Sequence, residues 1–401
     1  MLHTSYSKPR VLPINGTQDP TEIDRLQDLS VSSTFNRQKI EELGRKGLVA
    51  WKKQIPTMNM SARQYEYGSL EFYAQLANKP TSSTKVEFDE FNTSAVDVAC
   101  YETNDTGAFL NTVWYNDYRL ATFSVGIGDP ESIVERNFSL VGENEKILKN
   151  DNKYLIYKEI SGTTGADQTY TVDDPAPQLD PDASAQYLFR VLRVRAGVTT
   201  ELTFGTDWSY DGADTLTING QSYASDTLKA YYSATSYIAT EEPFTANDAD
   251  LSCINAESCS VYLVDSSNYV YRLQSVSADI SFDRLDVKEI GNENVVKRGV
   301  RDVTTTLSLG RIVHEWTPEE VLRGVAGLDF GLINVRKYED NFSLIIKMYS
   351  DPTKSTFKIG YKFTGLAPTG DDTGRPVNDY IQRGITLTGE EGFITTTESD
   401  L

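Results

Sequence analysis

The sequence predicts a mainly β protein: two tandem β-barrel or sandwich domains, each with one flanking helix, and a small all-β module inserted between them. Three observations predict it. The phrase RLQDLSVSSTF, from Arg25, returns as RLQSVSADISF from Arg272. Apolar and polar residues alternate through many short segments, the period of a half-buried strand. Clusters of Gly, Asp and Asn separate those segments as turns do.

The repeat has no gap at its start. Arg25, Leu26 and Gln27 fall on Arg272, Leu273 and Gln274, and Phe35 falls on Phe282. Arg37 meets Arg284, Glu42 meets Glu289, Gly44 meets Gly291 and Ser61 meets Ser308. The same register returns much later, where ERNFSLVGE from Glu135 falls on QRGITLTGE from Gln382. Matching segments at both ends make the repeat a whole domain, and two long copies are not a solenoid. The boundaries follow: an N-terminal arm over 1–24, a first domain over 25–150, an acidic linker and inserted module over 151–250, and a second domain over 251–401.

Each domain opens with an alternating strand, SVSSTFNRQKIEEL or SVSADISFDRLDVKEI, ending at Gly44 or Gly291, where a turn or bulge suits a permissive backbone. A charged loop follows. The first carries Arg45, Lys46, Lys52 and Lys53 around Trp51; the second carries Asn292, Glu293, Asn294, Lys297 and Arg298. TMNMSARQYEYG and DVTTTLSLGRI are the return strands. A helix comes next. SLEFYAQLANKP starts after Ser69 and stops near Asn78 and Pro80. WTPEEVLRGVAG has Thr317 as N-cap, Pro318 at the first helical position, Glu320 completing a capping box, and Gly327 as a stop. SAVDVACYE and FSLIIKMYS are apolar strands, TVWYNDYRLATFSVG and STFKIGYKFTGLAPTG follow, and the matching last strand closes each domain.

The stretch between the copies has no counterpart in the repeat. VDDPAPQLDPDASA reads as a linker, and four short strands follow in YLFRVLRVRAG, TELTFGTDWSYDG, DTLTING and DTLKAYYSAT. Asp173, Asp174, Asp180 and Asp182 are either a calcium site or a solvated acidic linker, and the wrong spacing for an EF-hand favours the linker. Asp207, Trp208, Tyr210, Tyr231 and Tyr232 are either a sugar-binding surface or cross-strand packing, and packing is the commoner use.

The composition narrows the function. The chain has 401 residues and a formal net charge of -20, which weighs against tight nucleic-acid binding through Lys and Arg. Two histidines and three cysteines leave too few parts for a zinc centre of the His/Cys type or a Ser-His-Asp triad. Neither a metal nor another cofactor is expected, and no enzyme activity. Cys253 and Cys259 are close enough for a bridge, although free cysteine is commonly a small core residue. No stretch approaches the ~20 apolar residues of a membrane helix. The N-terminus lacks the apolar core of a signal peptide, so synthesis in a cytoplasm is expected.

The opening strand SVSADISFDRLDVKEIG, the charged loop, the return strand, the capped helix and the closing strand resemble the tail-tube (major tail) protein family of tailed bacteriophages. SVSSTFNRQKIEELG carries the same resemblance, which covers both repeats. It implies a structural virion protein, assembled in the host cytoplasm and located in the tail. Six barrel domains make a tube ring in that family, so a chain of two such domains is expected to close a homotrimeric ring with pseudo-sixfold symmetry. Rings would stack into a tube through which double-stranded DNA passes without sequence-specific binding. Terminator, tape-measure and baseplate proteins would be its partners, and the charged loops would meet between rings. The inserted module departs from the single-domain family and resembles the external decorating domains of some tube proteins. Two rival readings remain. A baseplate hub or tube initiator also carries two tube-like domains, and copy number per virion separates it. An adhesin would bind glycans through the inserted module.

Overall fold

The structure is a computed structural model. It describes residues 6–13, 21–35, 37–40, 50–53, 57–80, 82–92, 95–103, 109–142, 144–148, 154–161, 168–171, 190–195, 198–211, 215–219, 226–234, 252–263, 269–270, 272–287, 297–313, 341–374 and 381–401. The protein is mainly β, as its alternating pattern requires.

The expected arm contributes β1 (Tyr6–Pro13) and β2 (Thr21–Glu22), and the first repeat copy contributes β3 (Leu26–Thr34), β4 (Arg37–Ile40), β5 (Ala50–Lys53), β6 (Thr57–Tyr65), β7 (Lys85–Glu87), β8 (Val96–Thr103), β9 (Phe109–Ile127), β10 (Glu135–Gly142) and β11 (Asn144–Leu148). Residues 6–13, part of the expected arm, pair with β8 along their whole length, from Tyr6↔Thr103 to Pro13↔Val96. Between β6 and β7 lies the helix α1 (Glu71–Leu76), where the Ser69 hydroxyl accepts a hydrogen bond from the Glu71 N–H at 3.2 Å. Asn78 follows in the left-handed region at φ 58°, a common way to end a helix. Phe72 through Leu76 are all buried, so this short helix is a plug in the core rather than a surface element.

The inserted module contains β12 (Tyr154–Ser161), β13 (Gln168–Thr171), β14 (Arg190–Arg195), β15 (Val198–Glu201), β16 (Trp208–Tyr210), β17 (Thr215–Ile218) and β18 (Thr227–Ala234). They form two sheets, β12-β18-β14-β15 and β13-β17-β16. The four expected strand segments hold β14, β16, β17 and β18, and β12, β13 and β15 add to them. Val191, Trp208, Leu216, Leu228 and Tyr232 belong to a core of the module's own.

The second repeat copy contributes β19 (Cys259–Leu263), β20 (Leu273–Val287), β21 (Lys297–Ile312), β22 (Phe342–Tyr349), β23 (Phe357–Gly374), β24 (Gln382–Gly389) and β25 (Glu391–Thr395). The helix expected at Thr317 lies outside the described residues.

The repeat survives in backbone detail. Arg25 and Arg272 both take positive φ, 53° and 54°. Their carbonyls accept from Tyr65 N–H at 3.2 Å and Ile312 N–H at 3.1 Å. A bulge follows in each strand, at Leu26/Asp28 and Leu273/Ser275. The long strands β9 and β23 match with one residue of offset relative to the rest, because Glu135↔Gly126 answers Gln382↔Gly374. On this alignment Asp117, at φ 59°, matches Gly365, at φ 66°. Gly142 and Gly389 match for a steric reason. A Cβ on Gly142 would lie 2.5 Å from the Tyr118 ring, and one on Gly389 would lie 2.8 Å from Leu366, the counterpart of Tyr118.

The copies share one inner sheet, ordered β3-β6-β10-β9-β20-β21-β24-β23, four strands from each. The N-terminal half of β9 leaves this sheet to pair with β8 and β11, and that of β23 pairs with β22 and β25. Each long strand therefore belongs to two layers. One core fills the space between, with Met60, Phe72, Phe123, Phe138, Ile280 and Phe363 among its members from both copies.

Candidate assembly interface

The joint between the copies is antiparallel pairing of β9 with β20, from Val276↔Ile127 to Ser281↔Thr122. Alternation on β20 turns Val276, Ala278, Ile280 and Phe282 into the core. The Phe282 ring lies 5.8 Å from Phe91 and 6.4 Å from Phe123, both of the first copy. Arg284 clamps the same joint. Its guanidinium donates to the carbonyls of Leu120 at 2.8 Å, Asn92 at 2.8 Å and Phe91 at 2.9 Å. A second strand addition supports it, as β7 of the first copy pairs with β25 of the second through Ile394↔Val86.

A buried polar network crosses this joint. Tyr361 of the second copy donates to Glu66 at 2.6 Å and lies 2.9 Å, hydroxyl to hydroxyl, from Tyr73. Arg136 donates to Gln64 at 2.8 Å and to Glu66 at 3.2 Å. Arg136 and Glu66 have no exposed side-chain surface. Burial pushes the hydroxyl of Tyr361 well above the usual tyrosine range, and the nearby Glu66 carboxylate adds to that shift. The hydroxyl therefore stays protonated and serves as a donor.

The opposite face of the inner sheet is polar. Ser30↔Ser61, Ser61↔Ser139, Ser139↔Thr122, Thr122↔Ser281 and Ser281↔Thr304 align hydroxyl side chains across consecutive strands. A shallow trough of about 710 Å³ lies over this face. Asp28, Asp279 and Arg63 line the trough, Glu135 and Asp372 lie on the same face of the sheet, and Arg63 lies 3.8 Å from Glu135.

Two edges of the inner sheet are open among the described residues. β3 pairs only with β6, and residues 367–374 of β23 pair only with β24. Phe35 is 67% exposed at the open edge, whereas its repeat counterpart Phe282 is 3% exposed at the joint. Ile147 on β11 is 53% exposed, whereas its counterpart Ile394 on β25 is fully buried. The expected opening strand of the first copy is broken at Phe35, with β3 before it and β4 after it. Its counterpart β20 runs unbroken to Val287, held on one side by β21 and on the other by β9.

Of the expected stacking-loop residues, Trp51, Lys52 and Lys53 lie on strand β5, paired with Lys39, Gln38 and Arg37 of β4. Lys297 and Arg298 begin β21, opposite Val287 and Asp286. They are strand residues of a hairpin rather than loop residues, because the two arms keep antiparallel pairing beyond the sheet. Arg45, Lys46, Asn292, Glu293 and Asn294 lie outside the described residues, as do Gly44, Gly291 and the acidic cluster of Asp173, Asp174, Asp180 and Asp182. Sequence reasoning missed Glu66, Arg136 and Tyr361; an invariant register between Arg136 and Arg383 was their one visible signal.

The module is docked on the first copy. Tyr101, Trp114, Leu148, Leu155, Leu192 and Tyr231 form a separate apolar cluster at the contact. Arg190 donates to Asp97 at 2.8 Å and to Glu201 at 2.6 Å, and the Tyr101 hydroxyl donates to the Leu155 carbonyl at 2.7 Å. Burial lifts the Asp97 carboxyl to about 6, against the opposing pull of Arg190. Trp208, Tyr210, Tyr231 and Tyr232 are all buried, so these aromatics serve packing and present no sugar-binding surface. Cys100, Cys253 and Cys259 are free thiols. Among the described residues no group of His, Cys, Asp or Glu could hold a metal, and no helix is long and apolar enough to cross a membrane.

No family model matches the chain. No curated protein matches it. Among solved structures, it is similar to a chain of an extracellular contractile injection system, the PVC sheath-tube complex in its extended state, at 17% identity and a TM-score of 0.29, over 36% of this chain and 92% of that one. It is also similar to the anti-feeding prophage cap (AFP tube terminating cap), at 17% identity and a TM-score of 0.30, over 40% of this chain and 100% of that one. Likenesses this distant carry no functional argument.

Proposed function

We propose that the protein is a structural subunit of a phage-type tail tube, with two tube domains per chain, 25–150 and 251–401, and three chains closing each ring. The observation that carries this reading is the β9·β20 joint. It joins the two copies head to tail and, among the described residues, leaves β3 and residues 367–374 of β23, the counterparts of β20 and β9, as open edges. Such a contact repeats by rotation and closes when the angle allows.

The stagger of the sheet sets the size of the closed ring. A line of paired residues from Ser30 reaches β20 at Ser281, four residues beyond Ser277, the counterpart of Ser30. Each four-strand copy thus climbs four residues. With about 3.3 Å per residue and about 4.8 Å between strands, that ratio tilts strands by about 35°, within the range of closed barrels. Six copies then close at a backbone radius of roughly 22 Å, and a side-chain layer of about 5 Å leaves a channel about 34 Å across. That channel passes a DNA duplex.

The hydroxyl rows and acidic residues form the channel wall in this reading. Neutral hydroxyls hydrate the wall, and the acidic excess repels phosphate, so DNA passes without adhering. The hairpins of β4–β5 and β20–β21 reach the neighbouring rings, and the module from 154 to 234 decorates the outside. Partners are further copies of the chain and the other proteins of the tail, and the site of action is the virion. Mass photometry and cryo-EM class averages of the purified protein test it. Rings of three chains with six barrel lobes are expected, and a chain that stays monomeric at high concentration with tail initiator present would refute the reading.

A further inference from the structure

The two repeat copies have equivalent surfaces with unequal exposure. On the side of the second copy that carries β20 and β25, Phe282 and Ile394 are buried by the first copy. On the same side of the first copy, Phe35 and Ile147 face solvent, next to strands that lack a second partner among the described residues. Single exposed apolar residues are ordinary, but these two are the counterparts of residues sealed at the internal joint.

The internal joint therefore serves as a template. We propose that β3 of one chain adds to β23 of a second copy as β20 adds to β9, pairing Ser30 with Gly374, Val31 with Thr373, Ser32 with Asp372, Ser33 with Asp371 and Thr34 with Gly370. The inference rests on the ring reading and deepens it by naming the register and the sealing residues. Phe35 takes the place of Phe282. Ile147 is covered as Ile394 is.

The new seam differs chemically from the internal one, and this fixes the order of copies around a ring. Glu66 N–H bonds the Val134 carbonyl at 2.9 Å, and Val313 N–H bonds the Ile381 carbonyl at 2.9 Å, so Val313 stands where Glu66 does. Tyr361 pairs with Ile394, and Val113 pairs with Ile147, so Val113 stands where Tyr361 does. A hydrogen-bonded carboxylate and phenol at one seam become two valines at the other. A first copy meeting another first copy would set buried Glu66 against Val113, and the carboxylate would lose the hydrogen bond that Tyr361 donates across the internal joint. Alternation of copies follows.

Disulfide trapping in the full-length chain tests the register. Ser32→Cys with Asp372→Cys, in a Cys253→Ser background, places two thiols on directly paired residues, within the reach of a disulfide. Ser30→Cys with Asp372→Cys is the off-register control. Ring formation is followed in parallel by mass photometry. The expected result is rings whose chains run as covalent dimers and trimers on non-reducing gels for the first pair, at least tenfold more than for the control. Rings with no cross-link, or with more cross-link in the control, overturn the seam while leaving the ring reading intact. Absence of rings from the parent chain overturns both.

Discussion

Tyr361 reaches across the repeat joint to donate a 2.6 Å hydrogen bond to Glu66, a carboxylate that also holds Arg136 at 3.2 Å. The three groups are fully buried and depend on one another. Removing the hydroxyl leaves the carboxylate short of a donor, and removing the carboxylate leaves a buried guanidinium uncompensated.

Tyr361→Phe is expected to lower unfolding stability by about 1.5–3 kcal/mol, the worth of a hydrogen bond to a charged group. Glu66→Ala is expected to cost more, about 3–5 kcal/mol, because it breaks a buried ion pair from one side. Urea midpoints on the unassembled chain check both.

Phe35 and Phe282 are the same residue at the same repeat position with opposite surroundings. Phe282→Ala is expected to cost about 3–5 kcal/mol in the single chain, as buried Phe truncations do. Phe35→Asp should leave chain stability within about 0.5 kcal/mol and weaken ring formation at least tenfold. Thermal melts and mass photometry separate the two effects. Loss of folding by Phe35→Asp would contradict its exposure.

Stability should depend on the protonation of Asp97. Its folded value of about 6 lies above the unfolded carboxyl value near 3.9, so the native state binds more protons between roughly pH 4 and 6. Stability therefore falls as pH rises through that window, by about 2–3 kcal/mol at most. Asp97→Asn should flatten this slope. Denaturant midpoints of both chains at pH 4 and pH 7 check the sign.

The hairpin of β4 and β5 gives a separate test of stacking. Trp51→Ala is expected to permit rings and shorten or abolish tubes. Lys52→Glu with Lys53→Glu should act less severely, since ion pairs open to water are worth about 0.2–1 kcal/mol and are screened by salt. Tube-length distributions in negative stain decide it.

Much of the architecture was legible because strand alternation and the repeat are both written in side-chain type. The segments around Arg25 and Arg272 align without a gap, and the structure repeats even their positive φ. The extra residue separating β9 from β23 was hidden, because these strands share too few identities to fix an alignment, and only pairing with β10 and β24 reveals it. Sequence could not tell Phe35 from Phe282, since exposure depends on which neighbour a strand has. Nor could it reveal the docking of the module, which relies on scattered residues such as Tyr101, Trp114 and Tyr231. The charged segments at Trp51 and Lys297 read as loops because charge and Gly suggest turns, yet cross-strand pairing holds both in hairpins.

The joint of β9 and β20 also bears on the kinetics of assembly. Half of the seams in a six-lobed ring form within a chain, so their rate does not depend on protein concentration. In the proposed ring three chains need two encounters between separate molecules and then one closure within the same particle, whereas six single-lobed subunits would need five encounters first. Each step removed lowers the concentration at which nucleation outruns dissociation. If the proposed ring forms, a chain carrying two lobes would complete it at a lower protein concentration than single-lobed subunits.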